Sequence, residues 1–192
     1  SNEATLLDER DRLIGSVATA TDIQVSYDAR GAAIVRTKAG DALVDGSTVA
    51  TVTASMTANS ALSFGIAPAT LLQPGSGTLA GLSDAAAHIS TQRAALDTLA
   101  SQLSTTLNTA HQSGVDANGN PGAALLNSNG SAASMTAAAL LATEVAAANA
   151  AGSNGNILAF NSARSSSGIE QNITAMITQQ AQIATATRAQ EA

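Results

Sequence analysis

A chain of 192 residues with a formal charge of −6, a pI near 4.6, no cysteine and no tryptophan excludes several kinds of protein before any motif is read. Its eight basic residues are scattered without a run, so nucleic acid and anionic membranes are poor partners, and the missing thiols remove disulfides, zinc–thiolate sites and cysteine chemistry. Aromatic residues at 2% leave a core of Ala, Leu, Ile and Val, which suits closely packed helices better than cofactor or sugar pockets.

The first stretch, TLLDERDRLIGSVA (5–18), places Leu6, Leu7, Leu13, Ile14 and Val17 on one stripe with Asp8, Glu9, Arg10, Asp11 and Arg12 on the other faces. That pattern predicts an amphipathic helix with a solvated ion-pair face, and Thr5 with Asp8 resembles a short capping box at its start, or lies mid-helix if the chain continues upstream. From residue 22 the period drops to two. Ile23, Val25 and Tyr27 alternate with polar residues, DARG turns the chain, Ala33-Ile34-Val35 resumes it, and KAGDA turns it again before Leu43-Val44. With STVATVTAS and ALSFGI this predicts four or five short strands between about 22 and 67, closed by a linker-like bend at Pro68, Pro74, Gly75 and Gly77.

Leu82, Ala86, Ile89, Arg93, Leu96, Ala100, Leu103, Leu107 and Ala110 then follow a four-three spacing without a slip. This is the pattern of a coiled-coil or long-bundle helix over about 79–112, roughly 50 Å long, with Gly114 placed to end it. The loop AHQSGVDANGNPGAALL (110–126) alternates Asp116, Asn118 and Asn120 like a calcium site, but Pro121 and Asn127 stand where an EF-hand needs its Gly and bidentate Glu. It reads as a turn cluster in which Asp116 bonds backbone amides. After a Ser/Asn/Gly stretch, MTAAALLATEVAAANAAG (135–152) reads as a helix stopped by Gly152. Ile169, Ile173, Met176, Gln180, Ile183 and Thr187 repeat the four-three spacing with a more polar end.

The patterning predicts an α+β protein, mainly α: an elongated helical bundle with a long central helix and a small inserted antiparallel β domain. Residues 1–19 and 76–192 would form the discontinuous helical domain and 20–75 the insertion, with the insertion's ends near 20 and 75 close together in space. Catalytic, cofactor and metal residues are not predicted. His88 reads as a flank residue at a helix seam, His111 as a group bonding the last free carbonyls of the long helix, and Asp8, Glu9 and Asp11 as acids bracketed by Arg10 and Arg12. GSG (75–77) and GSNGN (152–156) have neither a Walker lysine nor GxGxxG spacing and read as loops. No apolar run reaches the roughly 18 residues of a membrane span, and no basic-then-apolar start marks a signal peptide. Ser1-Asn2 reads as a cloning remnant, and helical patterns at both ends suggest a trimmed piece of a longer chain.

Three motifs in order carry a resemblance. Leu6, Leu7, Asp8, Arg10 and Asp11 are followed, after the β region, by Ser76, Gly77, Leu79 and Leu82, and then by Asn108, His111, Gly114, Asp116, Gly119 and Gly122. This series resembles the flagellar hook-associated protein 1 family, FlgK, over most of residues 4–126, and thins beyond. The family has Phe where this chain has Leu126, and helical regions outside both ends of its core. The resemblance implies a structural protein of the extracellular bacterial flagellum at the hook–filament junction, exported through the flagellar type III channel without a cleaved signal. Implied partners are the hook protein, the next hook-associated protein, copies of itself, and an export chaperone for the full-length chain; the present piece is expected to be monomeric. Two other readings stand beside it. One is a calcium-dependent surface adhesin or binding module using the 116–122 loop; the other, a glycan hydrolase, needs two carboxylates about 5 to 9.5 Å apart across a groove, and nothing in the sequence pairs acids in that way.

Overall fold

The computed structural model of the chain describes residues 2–57, 61–67, 70–149 and 153–190. Its helices are α1 (Asn2–Ala20), α2 (Gly77–Gln112), α3 (Gly155–Ser166) and α4 (Ile169–Gln190), and with 53% helix and small antiparallel sheets the protein is α+β, mainly α. The chain divides into two compact units, residues 1–92 and 93–192, with α2 contributing to each.

In the first unit α1 begins at Asn2, so Thr5 lies inside the helix and cannot act as a cap, which requires a residue outside the helical φ/ψ region. The ion-pair face is present. Arg12 donates to both oxygens of Glu9 at 2.6 and 2.8 Å, and its guanidinium holds the Glu9 carboxyl below the usual carboxylate range. Arg10 pairs with Asp11 at 2.7 Å, donates to the Gly31 carbonyl at 3.1 Å and lies 4.6 Å from the centre of the Tyr27 ring. Arg10 thereby ties α1 to the first hairpin through a cation–π contact as well as a hydrogen bond.

The β region is richer than its periodicity indicates. Strands β1 (Ile23–Tyr27), β2 (Ala33–Thr37), β3 (Ala42–Asp45) and β4 (Thr48–Val49) form one antiparallel sheet in that order. Strands β5 (Val52–Met56), β6 (Leu62–Ile66) and β7 (Thr70–Leu72) form a second. Seven strands replace the expected four or five because β4 and β7 are two and three residues long, too short for an alternating pattern to register. β7 occupies part of the segment expected to be a linker, and Pro68 lies outside the described residues. Val35, Leu43, Phe64, Ile66 and Leu72 form the buried core of this unit, with Ile14 of α1 and Leu79 of α2 packed against it.

The two ends of the β region are tied together. The Asp22 carboxylate accepts from the Gly75 amide at 2.8 Å, and the Thr78 hydroxyl donates to the Thr19 carbonyl at 3.3 Å. Gly77, at φ +81°, opens α2 with its Cα against the end of α1; a Cβ there would sit 2.7 Å from both the Thr19 and Ala20 carbonyl oxygens.

In the second unit α4 covers the predicted Ile169-to-Thr187 seam. The 36 residues of α2 form one unbroken helix about 54 Å long. Its seam is buried only towards the C-terminal end, at Ala100 and Ala110, whereas Leu82, Ile89 and Leu96 remain 49%, 54% and 45% exposed. The difference follows the returning chain. Residues after Gly114 fold back on the last turns of α2, where the buried Ser104 donates to the Met135 sulfur at 3.5 Å and Asp97 accepts from the Ala132 amide at 2.7 Å.

The helix expected over 135–152 does not form over its described residues, 135–149. Its described part holds β9 (Thr136–Ala137), paired with β8 (Leu126–Asn127), then a 3₁₀ turn at Ala142–Glu144 and extended chain to Ala148. Gly152, its expected stop, lies outside the described residues. Alanine's helix propensity is a weak prior, and here tertiary partners for the backbone override it. Small side chains also let Ala146 reach zero exposure against neighbouring backbone.

The tie at Asp22 gives a pH-dependent expectation. The Gly75 amide is the largest cause holding the Asp22 carboxyl below its ordinary range, so its stabilisation is present above the unfolded value, about 3.9, and is lost as pH falls through the folded value. Asp22→Ala should lower the melting temperature at neutral pH, with the gap to wild type closing in strong acid, read by circular dichroism melts across pH. A gap independent of pH would show that the charge contributes nothing.

Candidate functional site

The last turns of α2 carry Asn108 and His111, three residues apart and therefore on one face of the helix. The Asn108 side-chain oxygen accepts from the Leu125 and Leu126 amides at 2.8 and 2.9 Å, and its nitrogen donates to the Leu126 carbonyl at 2.9 Å. One side chain thus takes the place of a strand partner for the returning segment.

His111 is fully buried. Its Nδ1–H donates to the Ala123 carbonyl at 2.6 Å, while Nε2 accepts from the Ala146 amide at 2.8 Å. Because an amide N–H can only donate, Nε2 carries no hydrogen and the ring is the neutral Nδ1–H tautomer. The ring is tilted against Phe160 of α3 with centroids 6.1 Å apart. His111 therefore does not bond the final carbonyls of its own helix as expected; both nitrogens are taken by the chain folding back.

Asn156, in the first turn of α3, serves those carbonyls instead. It is 2% exposed, and its side-chain nitrogen donates to the Ala110 carbonyl at 2.9 Å and to the Ala146 carbonyl at 2.6 Å. Its side-chain oxygen accepts from the Ser113 hydroxyl at 3.3 Å, and its backbone amide donates to Ala147. Its place in GSNGN (152–156) predicts a loop residue, and its role is not legible in the sequence. No period or spacing marks the residue, since its partners lie 46 and 10 positions away.

Two glycines permit this closeness. A Cβ on Gly114 would fall onto the Asn156 amide and 2.5 Å from the Ala146 carbonyl oxygen. One on Gly122 would meet the His111 carbonyl, the Ala146 Cβ at 2.6 Å and the His111 Nδ1 at 2.7 Å. Gly119 differs: it is at φ +83° with open space around it, so a turn rather than contact requires it.

That turn is organised by Asp116, whose Oδ1 accepts from the Asn118 and Asn120 amides, each at 2.8 Å. These bonds, the Asn120 amide foremost, hold the carboxyl below its usual range. The carboxylate is thus occupied by the turn, as the sequence reading expected. Among the described residues, no group of three or more His, Cys, Asp or Glu side chains is placed to hold a metal ion. Backbone bridges from Val115 to Pro121 and Ala148 complete the knot.

The other motif residues lie in the first unit. Leu6 and Leu7 are 70% and 44% exposed, Asp8 and Asp11 are on the exposed faces of α1, and Arg10 binds the hairpin. Ser76, Gly77 and Leu79 stand at the tied base of the β region, and Leu82 is exposed on α2. Between α1 and the first sheet runs an apolar groove of about 550 Å³ lined by residues that include Leu6, Leu13, Ile14, Val17, Val35 and Val49.

The model of the flagellar hook-associated protein FlgK helical domain matches residues 1–126. The chain belongs to the FlgK family. No curated protein matches it. The FlgK match ends at Leu126, so it takes in Asn108, His111 and the three glycines but neither Ala146 nor Asn156, which complete the knot from beyond it. None of the described helices is long and apolar enough to cross a membrane.

The glycines separate contact from conformation. Gly122→Ala should cost roughly 1–3 kcal/mol by forcing His111 and Ala146 apart, and Gly119→Ala about 1 kcal/mol from backbone strain alone. Asn156→Ala, which strips two buried carbonyls of a donor, should cost roughly 1–3 kcal/mol. Urea unfolding of the three variants checks the order; Gly122→Ala no worse than Gly119→Ala would mean that the knot is not tightly packed.

Proposed function

We infer from its place in the FlgK family that the protein is a structural component of the bacterial flagellum that associates with other axial components. We propose that it is the junction subunit linking hook to filament. Its partners are the hook protein, the next hook-associated protein and neighbouring copies of itself, with an export chaperone acting on the full-length chain. It reaches its place through the flagellar type III export system without a cleaved signal. In isolation this chain is monomeric, and its role is mechanical, without an active centre. Residues 1–19 and 76–192 act as the helical domain, from which the β insertion of residues 20–75 projects.

The observation that carries this reading is the unbroken 36-residue α2, locked at its end, with Leu82, Ile89 and Leu96 exposed at seven-residue intervals. Such a row is suited to a neighbouring helix, and the few charges, 11% of residues, leave little repulsion between packed copies. The ion-pair face of α1, the tied base and the knot each fix how these surfaces are presented.

Complementation tests the reading. A strain lacking the gene for the full-length protein should shed its filaments and regain firmly attached ones when the gene is restored. Replacing Leu82, Ile89 and Leu96 with Ser should change the isolated protein's stability by no more than about 0.5 kcal/mol per exposed site while weakening filament attachment. Filaments that stay attached in the deletion strain would refute the junction role.

A further inference from the structure

We propose that the knot is an acid-released latch with His111 as its proton-sensitive element. The neutral ring uses its two nitrogens in opposite senses, donating to Ala123 through Nδ1 and accepting from Ala146 through Nε2. A protonated imidazole carries hydrogen on both nitrogens and has no acceptor left. In the closed knot, Nε2–H would then face the Ala146 N–H across a separation that is now 2.8 Å, one bond would be lost, and two donors would be set against each other at a site with no exposure to water.

The surroundings offer the cation nothing in return. Among the described residues His111 makes no ion pair, and its contacts include the Ala123 carbonyl, the Ala146 amide, the Gly122 backbone and the Phe160 ring. The charged groups on the elements packed around it are engaged elsewhere. Asp97 of α2 accepts from Ala132, Asp116 holds its own turn, Glu144 accepts from the Leu141 amide, and Arg164 of α3 pairs with Glu170 of α4 at 3.3 Å. A buried charge without a partner favours any conformation that lets the ring reach water.

Opening is not confined to one bond. The peptide groups on either side of Ala146 are gripped together, the N–H by His111 and the C=O by Asn156, and Asn156 also holds the Ala110 carbonyl. Loss of the first grip loosens the extended chain at 145–148 and the attachment of the start of α3 to the end of α2. The sign follows from proton binding: the closed knot needs Nε2 as an acceptor and the open form does not, so the open form gains population as pH falls and the closed form as pH rises. Each proton taken up on opening makes the open form about tenfold more populated per pH unit.

Three carboxylates do not share this response. Glu9, Asp22 and Asp116 all hold their charge to lower pH than a free carboxyl, so they remain ionised while an exposed imidazole titrates.

Amide hydrogen exchange on the intact chain tests the latch. The Ala146 protection factor, corrected for the intrinsic pH dependence of exchange, should fall about fivefold between about pH 6.5 and 5.5 while amides in the middle of α2 hold theirs. Imidazole nitrogen shifts at about pH 8 should report the Nδ1–H tautomer. His88→Gln should leave the response intact, and His111→Gln, if it folds, should abolish it. An Ala146 amide equally protected at both values, or one that stays protected while the His111 ring is charged, overturns the proposal in the wild-type protein without recourse to any variant.

Discussion

Everything in the second unit depends on how the backbone of Ala146 is satisfied. A buried peptide outside helix and sheet must find partners for its N–H and C=O, because leaving either unpaired costs more than a typical hydrogen bond returns. Ala146 has zero exposure and no regular secondary structure, and it receives both partners from side chains: the imidazole of His111 and the carboxamide of Asn156. The first comes from the end of α2 and the second from the start of α3, so one residue of extended chain joins two helices. Gly114 and Gly122 follow from the same requirement, since side chains there would occupy the volume in which the grip is made.

The same constraint explains which parts of the fold are legible in the sequence. α1 writes itself as a one-sided apolar stripe, α2 and α4 as four-three spacing, and β1 with β2 as alternation, because those periods arise from the local geometry of each element. The stretch 135–152 carries an equally plain helical signal, yet its described part, 135–149, forms no α-helix, because its conformation is decided by residues 111 and 156 rather than by its own. α3 is the converse, a helix whose first turn was read as loop because GSNGN carries turn residues. Asn108, His111, Gly114, Asp116, Gly119 and Gly122 stand out as a pattern, and the turn role of Asp116 follows from its spacing alone. The roles of Asn108 and His111 do not, since their partners lie 12 to 35 positions further along the chain.

The first unit solves a related problem with charge. A β segment that leaves and re-enters a helical chain needs its ends held together, and here a single exposed carboxylate, Asp22, receives the Gly75 amide while the Thr19 carbonyl receives Thr78. Burial does the rest through Val35, Leu43, Phe64, Ile66 and Leu72. What burial does not cover is as informative. Leu6 and Val49 are each 70% exposed beside the groove between α1 and the first sheet, a larger run of apolar surface than scattered single residues account for. Such surfaces fit the proposed life among neighbouring subunits better than an isolated one.

A long helix is stiff along its length but frays at its ends, where the last carbonyls lack intrahelical donors. A local cap would satisfy them and leave the end free to open by itself. In α2 the Ala110 carbonyl is served by the Ser113 hydroxyl close by and by Asn156 from 46 residues away, while the neighbouring His111 holds chain 12 and 35 residues on. Fraying of the last turn would therefore break the returning loop, the 145–148 segment and the seat of α3 together. The helix end acquires the cooperativity of a tertiary core, although its polar contacts are mainly hydrogen bonds of neutral groups. A strut so terminated keeps its length under load, and it yields as a unit when the one titratable member of the set changes its hydrogen bonding.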